Sequence, residues 1–247
     1  MSERHIVAFG GLRPTPGRVH PIVDYVLDLT GKPRARVAIL PTARGDAPEI
    51  IELLYARLPA DRTERSHLAL FSRSIADIRG YLLSQDVIWV GGGNTANMLA
   101  VWRVHGVDQV LREAWEAGIV LAGGSAGSLC WFEGGTTDSF NLYELAPIRD
   151  GLGFLSGTHC PHYDGEAQRR PLYHRLISEG LPDGLAVDED AAAHFFGTEL
   201  AEVVSSRESA TAYRVERKGG QTVETRLDAR PLPTGRPLPW VEVGLGK

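Results

Sequence analysis

Several features that would fix the class of this chain at once are scarce or missing. It has two cysteines, Cys130 and Cys160, in 247 residues. That is too few for the disulfide framework of a small secreted domain, so a reducing cytoplasm is the expected compartment. No uninterrupted apolar stretch approaches the roughly 20 residues of a membrane-spanning helix. The opening MSERHIVAFGG lacks the basic region followed by a long apolar run that a secretory signal needs. A strong excess of either charge is missing too, with 26 Lys and Arg against 31 Asp and Glu. The net charge is −5, and basic runs such as Arg169-Arg170 are short, which argues against nucleic-acid and membrane partners alike.

What is present is alternation. HIVAFGG (5–11), RVAILPTA (36–43), DVIWVGGG (86–93) and IVLAGG (119–124) read as strands that are apolar on both faces. Between them PEIIELLYARL (48–58), ANMLAVWRV (96–104) and VDQVLREAWEAG (107–118) carry apolar residues at helical spacing. Strand–helix alternation of this kind predicts an α/β fold, a mostly parallel sheet with helices on both faces. From about residue 185 the texture changes. LAEVVSS, TAYRVER and QTVETRLD alternate and are split by KGG, so a small C-terminal antiparallel meander or hairpin is expected. The expected organisation is one domain over 1–235 that includes this meander, then an extended proline-containing tail, 236–247, over the surface or reaching a partner subunit.

The chemistry gathers at glycine. Gly123-Gly124-Ser125-Ala126-Gly127 fits G-x-S-x-G after a strand, with SLCWF able to open a helix behind it. Ser125 is then either a nucleophile on a strained strand-to-helix turn, with amides and positive dipole aimed at developing negative charge, or a small residue in a glycine-rich bend. A second cluster, VIWVGGGNTANML, ends the preceding strand. In a parallel sheet both loops emerge at the carboxyl ends of the strands, where α/β sites lie. The amide of Gly93, or that of Gly92, can there join that of Ala126 as an oxyanion hole, while Asn94 or Thr95 caps the following helix. Neither a G-x-G-x-x-G nor a G-K-[ST] phosphate-binding pattern is present.

A serine nucleophile needs a base and an orienting acid. His162 lies in GTHCPHYDGE, a loop marked by glycine and proline. His159 and Cys160 nearby invite a metal reading, but H-C-x-H supplies three possible ligands with no second pair, so zinc is not expected, and no other metal or organic cofactor is implied. Asp188, Glu189 and Asp190 follow a short apolar run, as either an orienting acid or a solvated turn.

Taken together, VGGGNT (90–95), GGSAGSLC (123–130), TTDS (136–139), PHYDGE (161–166) and VDEDAA (187–192) resemble the peptidase E family of aspartyl dipeptidases and, more distantly, cyanophycinase. The resemblance implies a fold similar to class I glutamine amidotransferases, a serine peptidase with the chain order Ser…His…Glu, and a homodimer. It makes Ser125 the nucleophile, His162 the general base, Glu189 the orienting acid, and Gly93 and Ala126 the oxyanion amides. Asp188, Asp190 and Asp138 compete with Glu189 for that role. In the family a longer loop after the histidine carries an arginine for an N-terminal aspartate. Here 26 residues separate His162 from Glu189, Gln168 falls about where that arginine would, and Arg169 and Arg170 stand beside it, so these three together with Asn94, Thr95 and Asp138 are the residues expected to bind substrate. The expectation is a small-peptide hydrolase whose preference need not be aspartate. Hydrolysis of isopeptides or peptide conjugates, or a silent ligand-binding sensor, remain the alternatives.

Overall fold

The computed structural model describes residues 3–141 and 144–238. Along the chain run β1 (His5–Phe9), α1 (Pro21–Asp28), β2 (Ala35–Leu40), α2 (Pro48–Arg57), β3 (Thr63–His67), α3 (Ile78–Leu83), β4 (Val87–Val90), α4 (Thr95–His105), α5 (Val107–Glu116) and β5 (Val120–Gly124). Then come the single turn α6 (Ala126–Leu129), β6 (Phe132–Thr137), β7 (Ala146–Ile148), β8 (Leu155–Cys160), α7 (Arg169–Ser178) and β9 (Gly184–Val187). The strands β10 (Ala191–Phe196), β11 (Glu199–Ser205), β12 (Ala212–Lys218), β13 (Gln221–Arg226) and β14 (Ala229–Pro231) complete the described elements.

The expected α/β architecture is present. β1, β5, β4, β2 and β3 lie side by side and parallel, with β10, β11 and β14 added beyond β1. Every residue of β1 and β5 is buried, because both sheet faces are covered. Val7, Val37 and Ala122 face a core built with α1 and α2, while Ile6, Ala8 and Leu121 face one built with α3, α4 and α5. The second core continues into Phe132, Leu155 and Leu185 of another sheet, ordered β13-β12-β9-β8-β6-β7.

That second sheet refines the reading of the C-terminal quarter. The antiparallel strands expected from about residue 185 are present, but they are divided between the two sheets. β10 and β11 extend the main sheet, whereas β9, β12 and β13 belong to the second. The KGG turn does form the β12–β13 hairpin, with Gly219 and Gly220 at φ 60° and 83°. SLCWF supplies one helical turn and then enters β6. Of the proline-containing tail, residues 236–238 lie along 17–19, with Val19 N–H donating to Arg236 O at 2.9 Å and Leu238 N–H to Gly17 O at 2.9 Å. Residues 239–247 lie outside the described residues. Among the described residues no helix is long and apolar enough to cross a membrane.

Candidate active site

The loops after β4 and β5 of the main sheet and after β8 and β9 of the second converge at one cleft. β5 of the main sheet delivers Ser125, and the loop after β4 delivers Gly92–Asn94. From the second sheet, β8 delivers His162 and β9 delivers Glu189.

Ser125 sits at φ 57°, ψ −119°, a conformation that a side chain adopts only when its surroundings impose it. The surroundings are backbone. A methyl on Gly123 would overlap the carbonyl of Gly127, one on Gly127 would overlap that of Val90, and one on Gly124 would overlap the Phe9 ring. The Ser125 carbonyl accepts from the amides of Ser128 (3.0 Å) and Leu129 (2.9 Å), which closes the turn. Ser128 Oγ lies 2.8 Å from the same carbonyl and 3.0 Å from Nε2 of His159. His159 Nδ1 donates to the carbonyl of Leu185 at 2.9 Å, and full burial pushes its pKa down to about 3. It is a neutral strut beneath the elbow. Among the described residues no group of three or more His, Cys, Asp or Glu is placed to hold a metal ion.

Gly92 packs directly on the serine; a Cβ there would lie 3.2 Å from Ser125 Cβ and 3.7 Å from its Oγ. Gly93 takes φ 143°, and a methyl on it would overlap the Ala43 carbonyl. The flanking amides of Gly91 and Asn94 are bonded to Leu40 O (3.0 Å) and Ala43 O (2.8 Å), so Gly92 and Gly93 remain as this loop's candidate donors to a substrate.

His162 also has a positive φ, 54°. Its Nδ1 lies 3.3 Å from Oε1 of Glu189. A carboxylate only accepts, so Nδ1 carries the proton and Nε2 keeps its lone pair. Burial lowers the His162 pKa from its ordinary value, and the nearby positive charge of Arg169 lowers it further, against the pull of Glu166 and Glu189. Gly11 and Gly165 leave room for this pair. A Cβ on Gly11 would stand 2.8 Å from His162 Cε1, and one on Gly165 would stand 2.8 Å from Glu189 Cδ.

Of the competing acids, Glu189 is the one that meets His162. Asp188 is buried; its Oδ2 accepts from the Thr211 amide at 3.0 Å, and desolvation raises its pKa to about 6. Asp190 accepts from the Arg13 amide (2.9 Å) and meets His20 Nε2 (3.2 Å). Asp138 lines the cleft but has no partner among the described residues. Glu189 is held on its far side by Arg13, whose Nε lies 2.6 Å from Oε2, while its amide donates to Asp164 Oδ1 at 2.8 Å.

The cleft has a volume of about 540 Å³ and is lined by Ser125, His162, Gly93, Asn94, Asp138, Arg169 and others. Three of the residues expected to bind substrate are not brought into it. Thr95 is buried, with its amide on Ser139 Oγ (2.9 Å). Gln168 is exposed at the start of α7. Arg170 pairs with Glu224 (3.0 Å) and lies over Tyr163 and Tyr213, 4.8 Å from each ring. Arg169 does line the cleft, but it is 3% exposed and grips Glu166 through two nitrogens, at 2.8 and 3.3 Å. Asn94 lines it too, although its side chain is engaged by Ser139 O and Asn97 N. Sequence reasoning missed Arg44, Arg13 and the Gly10–Gly11 pair. For the glycines a signal was available, a double glycine closing a buried strand; nothing in the spacing ties Arg13 to Glu189.

The model of peptidase family S51 matches residues 6–203. The chain belongs to peptidase family S51. It is a serine-type peptidase on that basis. It is 42% identical over 232 residues to the uncharacterized peptidase YgaJ of Bacillus subtilis, covering 93% of this chain and 99% of that one. Peptidase E of Shewanella amazonensis is 31% identical over 134 residues, about half of each chain (51% and 57%). The fold is shared with a crystal structure of a peptidase from an acI-B1 Actinobacterium, at TM-score 0.65 and 19% identity, over 92% of this chain and 95% of that one.

Proposed function

We propose that this S51 peptidase hydrolyses small peptides through an acyl-enzyme, with Ser125 as nucleophile, His162 as general base and Glu189 as orienting acid. The observation that carries the proposal is the cleft itself: a serine on strained backbone opens to the same cavity as a histidine whose Nδ1 faces a carboxylate. In this reading His162 Nε2 takes the Ser125 proton as Oγ attacks the scissile carbonyl, and the amides of Gly93 and Ala126 receive the oxyanion. His162 then gives the proton to the leaving amine, and water releases the acid by the reverse route.

The state of Arg169 supports a preference wider than aspartate. Its guanidinium is already neutralised by Glu166, so an incoming aspartate would have to displace that partner to gain a bidentate contact. The test is hydrolysis of a dipeptide panel (Asp-X, Glu-X, Asn-X, Gly-X and neutral pairs) by wild type and by Ser125→Ala. The expected result is turnover of several classes, reduced about 10⁴-fold or more in the variant. Turnover that survives the substitution would remove Ser125 from its role, and turnover of Asp-X alone would overturn the wider preference.

A further inference from the structure

We propose that Arg44 is the residue through which this cleft recognises a carboxylate of its substrate. The inference rests on the peptide-hydrolase reading and adds a specificity residue to it. Five ionisable side chains line the cleft: Arg44, Asp138, His162, Glu166 and Arg169. Arg169 and Glu166 neutralise each other, and His162 faces Glu189. Arg44 is then the cation at this cleft with no ion pair or hydrogen bond from its side chain among the described residues.

Its backbone, by contrast, is held. Thr42–Arg44 forms a 3-10 turn closed by Arg44 N–H to Pro41 O (3.0 Å) and Gly45 N–H to Thr42 O (3.0 Å). The buried indole of Trp102 on α4 donates to Thr42 Oγ1 at 3.2 Å. The Ala43 carbonyl accepts from Asn94 N–H, which ties the turn to the loop that carries Gly93. Arg44 Cγ packs on Gly93, 2.9 Å from where a Cβ would stand. Asp46 is the acid closest to Arg44 in sequence, but it is turned away, with Oδ2 taking the amides of Leu70 and Phe71. A fixed stem beside the candidate oxyanion loop thus presents a guanidinium that no ion pair or hydrogen bond engages among the described residues, Asp138 across the same cleft included, and a guanidinium pairs with a carboxylate in a planar, two-pronged fashion. A peptide offers that carboxylate at its C-terminus or on an acidic side chain.

The test measures binding, without turnover, to Ser125→Ala and to Ser125→Ala combined with Arg44→Gln. Two pairs of probes separate the sources: Ala-Leu against Ala-Leu-amide for the C-terminus, and Asp-Leu-amide against Asn-Leu-amide for the side chain. In at least one pair the carboxylate-bearing member is expected to bind about 10- to 100-fold more tightly, as for a hydrogen-bonded charged group. Arg44→Gln should abolish that preference and Arg44→Lys should retain part of it, with the melting temperature unchanged because no side-chain partner is lost. A preference that persists in Arg44→Gln overturns the proposal, as does its absence from both pairs, including no binding at all. The two readings fail separately. Arg44-dependent binding with no wild-type hydrolysis would sink the peptidase reading alone, and Ser125-dependent hydrolysis indifferent to Arg44 would sink this one alone.

Discussion

The Ser125 elbow and the Glu189 turn both hold side chains on unusual backbone, Ser125 at φ 57° and Asp190 beside Glu189 at φ 64°, yet they are secured by opposite means. Around the elbow three glycines meet carbonyls and an aromatic ring with no volume to spare, and no ion pair takes part. Around the turn the retaining groups are charged. Arg13 reaches Glu189 (2.6 Å) and Asp190 (3.6 Å), Arg207 reaches Asp190 (3.5 Å) and Asp164, and His20 reaches Asp190. Close packing is indifferent to salt and pH but intolerant of added atoms. Partly exposed charge pairs tolerate small changes of volume but are weakened by screening. The nucleophile is therefore placed sterically, and the acid electrostatically.

The substitution with the largest expected effect tests the steric half. In Gly127→Ala the new methyl would overlap the Val90 carbonyl of the neighbouring strand. The methyl is fixed to its own backbone and the atom it meets is backbone too, so neither can swing aside and the cost exceeds the about 1–3 kcal/mol of ordinary overpacking. The expected outcome is loss of activity together with a lowered melting temperature or insoluble protein. A stable, fully active variant would mean that the elbow is not held by packing. Next in size is Arg13→Gln on the electrostatic half. Glu189 keeps its amide bond to Asp164 but loses the cation paired with its Oε2. A fall of about 10- to 100-fold in kcat is expected, the range found for groups that orient a site's first ligands, with KM and melting temperature little changed. Because the Arg13 side chain is 48% exposed, wild-type kcat should also decline as salt rises from about 0.1 to 1 M. If kcat survives both treatments, the backbone alone positions the acid.

The same contrast explains what could be seen in the sequence. The elbow was legible because its constraint is local: the glycines that make room for Ser125 lie within two residues of it, after an apolar run that reads as a strand. The parallel sheet was legible for the same reason. The turn around Glu189 was half-legible, because the acidic triplet announces charge but not which carboxylate faces His162. That depends on Gly11 and Arg13, some 176 residues away, brought there by the antiparallel pairing of β1 with β10. The second sheet escaped notice where FEGGTT and LSGTHC, with their glycine, serine and threonine, lack the apolar signal of a core strand, although both are mostly buried. Gln168, Arg169 and Arg170 are consecutive, and only the direction in which α7 starts buries Arg169 while leaving its neighbours outside the cleft.

Arg169 gives the smallest effect and the finest test of the electrostatic half. Neutral His162 is the form that can accept the Ser125 proton, so kcat/KM should fall on the acid side as His162 becomes charged in the free enzyme. Burial and the Arg169 charge both disfavour the imidazolium, which places that acid limb below the ordinary histidine value of about 6.5. Replacing Arg169 by leucine removes one of the two disfavouring influences. It also leaves the Glu166 carboxylate, which favours the charged ring, without its partner. Both changes act in the same direction, so the acid limb should move to higher pH while rates above it change little from this cause. Gly92→Ala, which presses on Ser125 without touching a charge, should lower the rate at every pH and leave the limb in place. A limb that stays in place in Arg169→Leu would mean that the Arg169–Glu166 pair is electrically silent at His162, leaving burial and Glu189 to set its protonation, and one that moves down would overturn the sign argued for the pair.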